Sequence, residues 1–478
     1  MRSKISICTT AVGLFAALAA QGQPQRYQTT DLGTLGGADS YAYGINNAGL
    51  VAGGAATKSQ TGGLSQTAFL WSRGRMINLG TLDGSACPNC NSEGSQARAS
   101  GEVALLSETS KTDPKGEDFC GFGTHRQCLA ALWKEGHMTA LPTLPGGQNA
   151  SVIWMNDSGE GVGYSENGTP DSDCIVPFQV RRFAGAKWTR EGKIQELRPL
   201  PGDTVSFAFG INDRGQTVGV SGLCSNVSLP GTGTPYGPHA TLWDSDGSPV
   251  AIGTLPTGVT TMPTSINNRG EVVGNVQFPD GSIHPFLWSK QAGMRDLGVA
   301  AGDFVTIVPC CGSISNRGEM VGFSCGPNGC RAVVYSDQGW VALNKLTLPG
   351  SPLDLQFAVS INDAGQIAGW GATADGDTHA FLVRPAQTKA DGGRKDEAVT
   401  SRSIQLDGTQ STSADGKDLT YVWTIPRGYP SAAISGATTA TPTVQFSLTR
   451  GTYVFKLTVI DSTGTTSTDL VTVNFVGN

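Results

Sequence analysis

The sequence predicts an all-β chain: a seven-bladed β-propeller closed by its own N-terminal strand, followed by an immunoglobulin-like β-sandwich. Three observations predict it. Glycine supplies 65 of 478 residues and charged residues only 15%, the balance of short strands joined by tight turns. Three short strings each recur seven times between residues 27 and 384. A separate series of alternating apolar stretches fills the C-terminal end.

The same composition excludes several classes. Glycine and proline together stay under a fifth of the chain, below the roughly 25–30% of low-complexity disorder. Hydrophobic residues at 38% can build a core. A coiled coil, a collagen and a highly charged disordered chain are all excluded. The net charge of −6 provides no basic stripe, so nucleic acid is not an expected partner.

At the N-terminus, Arg2 and Lys4 precede an apolar stretch from Ile5 to Ala20, followed by Gln21, Gly22, Gln23 and Pro24. This pattern predicts a signal peptide over 1–22, cleaved after Ala19, Ala20 or Gly22. The stretch is short for a membrane span, which needs about 20 apolar residues, and no later stretch is apolar enough. The mature chain is therefore expected to be secreted or held in the envelope, extracellular or periplasmic, without a membrane span. Cys8 leaves with the signal. Of 11 cysteines ten remain, an even number that in an exported chain points to disulfides. No cysteine stands at the cleavage point to carry a lipid.

The first string is Ile-Asn-x-x-Gly-x-x-x-Gly. It occurs at Ile45-Asn46 with Gly49 and Gly53, Ile211-Asn212 with Gly215 and Gly219, Ile266-Asn267 with Gly270 and Gly274, and Ile361-Asn362 with Gly365 and Gly369. Variants stand at Met155-Asn156 and Ile314-Ser315, and a worn copy surrounds Gly101. The mean period is about 53 residues. The second string is Phe69-Leu70-Trp71 and its counterparts ending at Trp133, Trp188, Trp243, Trp288, Tyr335 and Val383. The third resembles Leu-Gly-Thr-Leu and begins at Leu32, Leu79, Leu141, Leu197, Ile252, Leu297 and Leu343.

Each string has its own chemistry. Asn-Asn/Asp-x-Gly between apolar stretches makes a hairpin: Asn and Asp bond their own backbone, and Gly accepts positive φ. In unit 1, strand a is then Ser40–Ile45 and strand b is 50–54. The Phe-Leu-Trp string forms strand c, and 75–79 forms strand d. Four short strands in such a repeat match one propeller blade. The chain opens on a strand d, 27–32, and the last repeat ends on a strand c, 379–383. The N-terminal strand can thus complete the last blade and leave no exposed edge. An open β-solenoid is the rival and would leave 27–32 unpaired.

Asp31-Leu32-Gly33-Thr34-Leu35-Gly36-Gly37, the Ile-Asn-Asn-x-Gly core and His379-Ala380-Phe381-Leu382 resemble the bacterial HAF repeat, an extracellular repeat, over residues 27–384. The resemblance implies export and a repeat scaffold and brings no established activity. Unit 2 departs most, since Ala97-Arg98 replaces the Ile-Asn pair.

In this strand order the a–b and c–d turns share one face, and the b–c and d–a connections share the other. The b–c connections vary: the separations across them are 18, 28, 25, 24, 14, 13 and 14 residues from unit 1 to unit 7. Long variable loops on a rigid scaffold are where binding concentrates. All ten mature cysteines map to that face or the adjoining end of strand a. Cys174 and Cys224 occupy matching places on neighbouring units and are expected to pair. Cys120 with Cys128 and Cys325 with Cys330 are local candidates, and Cys310 and Cys311 are left open. Cys87-Pro88-Asn89-Cys90 fits a disulfide better than zinc in an exported chain.

On the same face, Tyr236, Phe278 and Trp370 are candidates to stack on a sugar or a peptide side chain. Asp171 and Asp173, with Asp375 and Asp377, have a D-x-D flavour of calcium binding, although ordinary turn chemistry accounts for them equally well. No cofactor is expected, calcium being the one candidate weighed. His239, His284 and His379 precede strand c in three units, where bonds to neighbouring backbone are expected rather than a metal ring. No G-x-S-x-G, H-E-x-x-H or G-x-x-x-x-G-K-[ST] motif is present, so no catalytic residue is assigned.

Residues 385–400 are charged and polar and read as a linker. Beyond them, over 401–478, strands are expected at 403–406, 419–423, 443–446, 453–459 and 470–475, with Trp423 the core aromatic of a sandwich. Leu406-Asp407-Gly408, Tyr421-Val422-Trp423, Gly451-Thr452-Tyr453 and Leu457-Thr458-Val459-Ile460-Asp461 resemble the PKD domain. That resemblance implies a spacer or adhesion unit and no particular ligand. Thr424-Ile425-Pro426 departs from the acidic turn usual in that family.

The function these features predict is a monomeric, non-enzymatic, secreted binding or adhesion protein. Its disulfide-stabilised loop face would take a cell-surface glycan, a matrix polymer or a protein. A propeller enzyme acting on polysaccharide, lyase or hydrolase, is the alternative from another class. A purely structural surface protein is the third.

Overall fold

The computed structural model describes residues 25–57, 66–174, 179–227, 237–336, 338–393, 397–414, 416–447, 450–462 and 464–477. The expected signal segment 1–22, with Cys8, lies outside the described residues, as does Tyr236. The described chain is all-β and has no α-helix; two single turns of 3-10 helix are its only helical segments. No helix among the described residues is long and apolar enough to cross a membrane.

Residues 27–385 form a succession of small antiparallel sheets. In unit 1, strands a to d are Gly36–Ile45, Val51–Thr57, Thr67–Ser72 and Arg75–Gly80, paired in chain order. Units 2, 3 and 4 repeat this order, from Ser92–Ala97 through Pro249–Ala251. Units 5 and 6 repeat it again and share one parallel bridge, Ile283 to Val305. In unit 7, Asp354–Ile361, Ile367–Ala372 and Thr378–Pro385 are completed by Tyr27–Asp31, with Thr30 opposite Leu382.

Each sheet is covered on both faces by its neighbours, which explains why strands b and c read as apolar runs rather than strict alternations. Phe69 packs with Ala368 and Leu382 of unit 7, whereas Ala68 and Leu70 pack with Ala97 and Val103 of unit 2. Equivalent apolar layers lie between every other pair of consecutive units. Fully burying a Phe in such a layer contributes roughly 1.5–3 kcal/mol.

The repeated asparagine does more than shape a hairpin. In unit 4 the Asn212 Oδ1 accepts the N–H groups of Arg214 and Gln216, closing the a–b turn. Its Nδ2 donates at 3.0 Å to the carbonyl of Asn267 in unit 5. The same reach links Asn46 to Ala97, Asn156 to Asn212, Asn267 to Ser315, and Asn362 of unit 7 to Asn46 of unit 1. Arg98 Nε to the carbonyl of Asp157 supplies the link at the worn unit 2, and Asn316 N–H to Asp363 Oδ1 the link from unit 6 to unit 7.

The second glycine of the string is needed by a bulge. Strand a changes register between Ala42 and Gly44, Ala208 and Gly210, and Ala358 and Ser360. A Cβ on the facing glycine of strand b would lie 1.9 Å from the carbonyl oxygen of Phe207 at Gly219, or of Phe357 at Gly369. No side chain fits there.

The C-terminal part is two sheets around a separate core. One holds 397–399, Thr466–Phe475, Gly451–Ile460 and Thr420–Thr424; the other holds Ser403–Gln405, Thr443–Phe446 and Ala432–Ser435. Trp423 is buried between them with Phe446, Tyr453, Phe455 and Phe475. The strand Ala432–Ser435 was not expected, because its small residues give no apolar alternation. Part of the segment read as a linker packs on this core: Ala390 is buried in it and Lys389 pairs with Thr412.

Candidate functional site

Alignment of the repeat puts Tyr41, Glu93, Ser151, Phe207, Met262, Cys310 and Phe357 at one equivalent position of strand a, next to the bulge. The seven units treat it in two ways. In units 2 to 4 the long b–c connections fold back over it. Phe119, from the connection of unit 2, stacks on Tyr164 with ring centroids 4.7 Å apart; Tyr164 stacks on Phe207 at 4.2 Å, and Phe207 lies 4.4 Å from Phe209. All four rings are buried, together with Met262 and Val227.

Polar anchors hold this cover down. Asp113 accepts from Asn149 Nδ2 at 2.8 Å, and Glu117 Oε1 accepts the N–H groups of Val180 and Arg181. Disulfides Cys120–Cys128 and Cys174–Cys224 fasten the connections, the second one joining units 3 and 4. The remaining pairs are Cys87–Cys90, Cys325–Cys330 and the adjacent Cys310–Cys311. Burial and the neighbouring Glu166 carboxylate push the Glu117 carboxyl well above its ordinary range.

In units 6, 7 and 1 the same region stays partly exposed. Phe323 lies 4.7 Å from Phe357, which stacks on Trp370 at 5.2 Å; Tyr41 and Tyr43 meet Trp370 edge-on at 5.6 and 5.8 Å. All five rings retain accessible surface. At the end of this belt, Glu93 accepts from Gln66 Nε2 at 2.6 Å. Enclosure by the surrounding protein pushes Glu93 up to about 7, against the hydrogen bonds of Gln66 and Tyr43, which favour the carboxylate.

Beneath both halves, Trp154 of unit 3 reaches across to units 1 and 6. A Cβ at Gly312 would come within 2.4 Å of its ring, and one at Gly44 within 3.2 Å. Trp154 therefore separates the aromatic belt from the opposite mouth. That mouth is a polar pocket lined by the a–b turns, among them Asn47, Asp157, Asp213, Asn268, Asn316 and Asp363. Burial and the facing Asp213 and Asp363 raise Asp157.

The other sequence candidates divide. Trp370 sits at the centre of the exposed belt. Phe278 packs on His284, with ring centroids 4.7 Å apart, away from it. Asp171 is tied to Arg182 at 2.8 Å and to the N–H of Asp173, and Asp173 accepts from Ser225. These carboxylates are spent on holding the loops of units 3 and 4, a structural role in place of the calcium role considered. Among the described residues no three His, Cys, Asp or Glu side chains converge to hold a metal. The histidines bond carboxylates rather than the backbone expected: His239 to Asp203, His284 to Asp296 and His379 to Asp31, each within 2.9 Å. Tyr41, Tyr43, Glu93, Phe323 and Phe357 were not singled out from sequence. Superposing the repeats at strand a finds three of them.

A family model described as a PKD domain matches residues 393–475. The solution structure of the PKD domain from KIAA 1837 protein is similar, at 31% identity over 19% of this chain and 92% of that one, with a TM-score of 0.17. Virginiamycin B lyase from Staphylococcus aureus is similar at 10% identity over 75% of this chain and 99% of that one, with a TM-score of 0.41. A mutant Aleuria aurantia lectin in complex with alpha-methyl-L-fucoside is similar at 10% identity over 57% of this chain and 77% of that one, with a TM-score of 0.27. No curated protein matches. The C-terminal part of the chain thus carries a PKD-type domain, on a larger all-β array of small sheets.

Proposed function

We propose that residues 27–384 close into a seven-bladed propeller, joined to the PKD-type domain, and that the protein is an exported, non-enzymatic binding protein for a glycan. The apolar layer and the Asn362–Asn46 hydrogen bond between units 7 and 1 support closure. The disulfides support export to an oxidising compartment.

The observation that carries the binding reading is the belt Phe323, Phe357, Trp370, Tyr41 and Tyr43. Adjacent rings that keep accessible surface, ending on the hydrogen-bonding groups of Gln66 and Glu93, suit the apolar face and hydroxyls of a pyranose. The test is a glycan and cell-wall array probed with the mature chain. A bound saccharide is expected, and Trp370→Ala should weaken it at least tenfold. Silence on the arrays, or unchanged binding by Trp370→Ala, would overturn the reading.

Glu93 supports a second reading. A carboxyl held near neutrality beside a stacking surface is suited to donate a proton in polysaccharide cleavage. Turnover of a polysaccharide abolished by Glu93→Gln would select this enzyme reading over simple binding.

A further inference from the structure

A second groove lies on the side of the a–b and c–d turns, between units 4 and 5, and encloses about 510 Å³. That volume lies within the range of small-ligand sites, about 300–1,000 Å³. Its floor is apolar: Leu242, Val250 and Ile252 of unit 4 face Trp288 of unit 5. Val250 is 53% exposed, a large aliphatic side chain left in solvent at the groove.

Trp288 departs from its counterparts in the two preceding units. Trp188 and Trp243 are fully buried, and their indole N–H groups donate to the carbonyls of Pro142 and Arg198 at 2.8 and 2.7 Å. Trp288 keeps accessible surface and its Nε1 has no hydrogen-bond partner among the described residues. Trp71 also leaves its N–H unbonded, but Arg384 covers that ring at 5.5 Å.

The rim supplies charge of one sign. Arg269 is neutralised by Glu271 at 2.6 Å. Arg214 and Lys290 line the groove, are exposed, and enter no ion pair among the described residues. Asp244, the other acid at the rim, accepts the N–H of Ser245. The groove therefore offers an aromatic face with a free donor, an aliphatic strip and two uncompensated cations.

We propose that the groove between units 4 and 5 binds an acidic saccharide, with a sugar ring against Trp288 and its anionic substituent between Arg214 and Lys290. Arg214 takes a carboxylate or sulfate through paired N–H groups, and Lys290 adds a point charge. The inference extends the glycan-binding reading to a second, chemically distinct site at the opposite end of the repeat units from Trp370.

Titration of the mature chain by calorimetry with trigalacturonate, a sulfated galactose trisaccharide and uncharged galactotriose tests it. At least one anionic sugar should bind at least tenfold tighter than galactotriose and weaken as salt is raised. The two anionic arms distinguish carboxylate from sulfate. Arg214→Gln and Lys290→Gln, both at exposed positions, should each reduce that binding at least fivefold, while Trp370→Ala leaves it unchanged. Equal affinity for charged and uncharged sugars, or full affinity in both cation variants, would overturn the inference. Loss through Trp370→Ala alone would place the acidic sugar on the aromatic belt instead and equally overturn it, leaving the belt reading intact.

Discussion

The two halves of the strand-a ring carry the same kind of side chain and put it to opposite uses. In units 2 to 4, Phe119, Tyr164, Phe207 and Phe209 are sealed beneath long b–c connections. In units 6, 7 and 1, Phe323, Phe357, Trp370, Tyr41 and Tyr43 are left partly in solvent. The repeat position is equivalent; the length of the loop above it differs. A sealed ring contributes to the core, and an unsealed one keeps its face for a partner. Function in such an array is decided by what is left uncovered.

The largest expected effect concerns the junction on which both halves depend. Removing residues 25–31 takes away the fourth strand of unit 7, with its five paired residues and the buried Tyr27. The melting temperature should fall by more than about 10 °C, since roughly 1 kcal/mol shifts it by 2–4 °C in a domain of this size. A shift within 2 °C would show that the last sheet does not rely on that strand.

Next in size are substitutions in the sealed half. Phe207→Ala should cost about 3–5 kcal/mol in a chemical-denaturation midpoint series, the usual range for emptying a fully buried aromatic site. A cost below about 1 kcal/mol would mean that the cover of unit 2 does not exclude water. Asn362→Ala removes the turn acceptor and the donor to Asn46 together. It should cost about 1–3 kcal/mol, and Asn362→Asp, which keeps only the acceptor, should recover part of that.

A smaller effect is set by pH. Glu117 and Glu93 both hold their protons more tightly in the folded chain than the ordinary carboxyl value of 4.5, Glu93 up to about 7. The folded state therefore binds more protons than the unfolded one as pH rises from about 4.5 through 7, and stability falls over that window. Melting should be higher at pH 5.5 than at pH 8.5. Glu117→Gln should flatten the profile, because a neutral amide needs no proton to sit beside Glu166. An unchanged slope in that variant would remove the pair from the account.

How far the sequence anticipates this contrast can be traced residue by residue. The repeated strings place every a–b turn, and the orphan strand at 27–31 points to its partner near 382. The sealing loops are visible only as lengths. The second role of Asn212 is not legible, because a side chain that bonds residues two and four further on looks the same whether or not its amide also reaches the next unit. Arg98 shows the consequence: the copy that appears most eroded keeps the inter-unit link through a different donor. Trp370 could be singled out as a lone aromatic near a loop. Tyr41 and Tyr43 could not, since alternate tyrosines in a strand read as ordinary packing until the seven copies are superposed. The D-x-D at Asp171 and Asp173 misled for the opposite reason: its partners, Arg182 and Ser225, come from a neighbouring strand and the next unit.

The contrast is tested most directly by pairing Trp370→Ala with Phe207→Ala and measuring both thermal melting and binding of the array-selected saccharide. Trp370→Ala should melt within about 3 °C of the parent, the shift of roughly 1 kcal/mol, and lose at least tenfold in affinity, while Phe207→Ala destabilises the fold. If Trp370→Ala instead melts as early as Phe207→Ala and binds the saccharide as the parent does, the exposed belt is simply more core, and the account is contradicted.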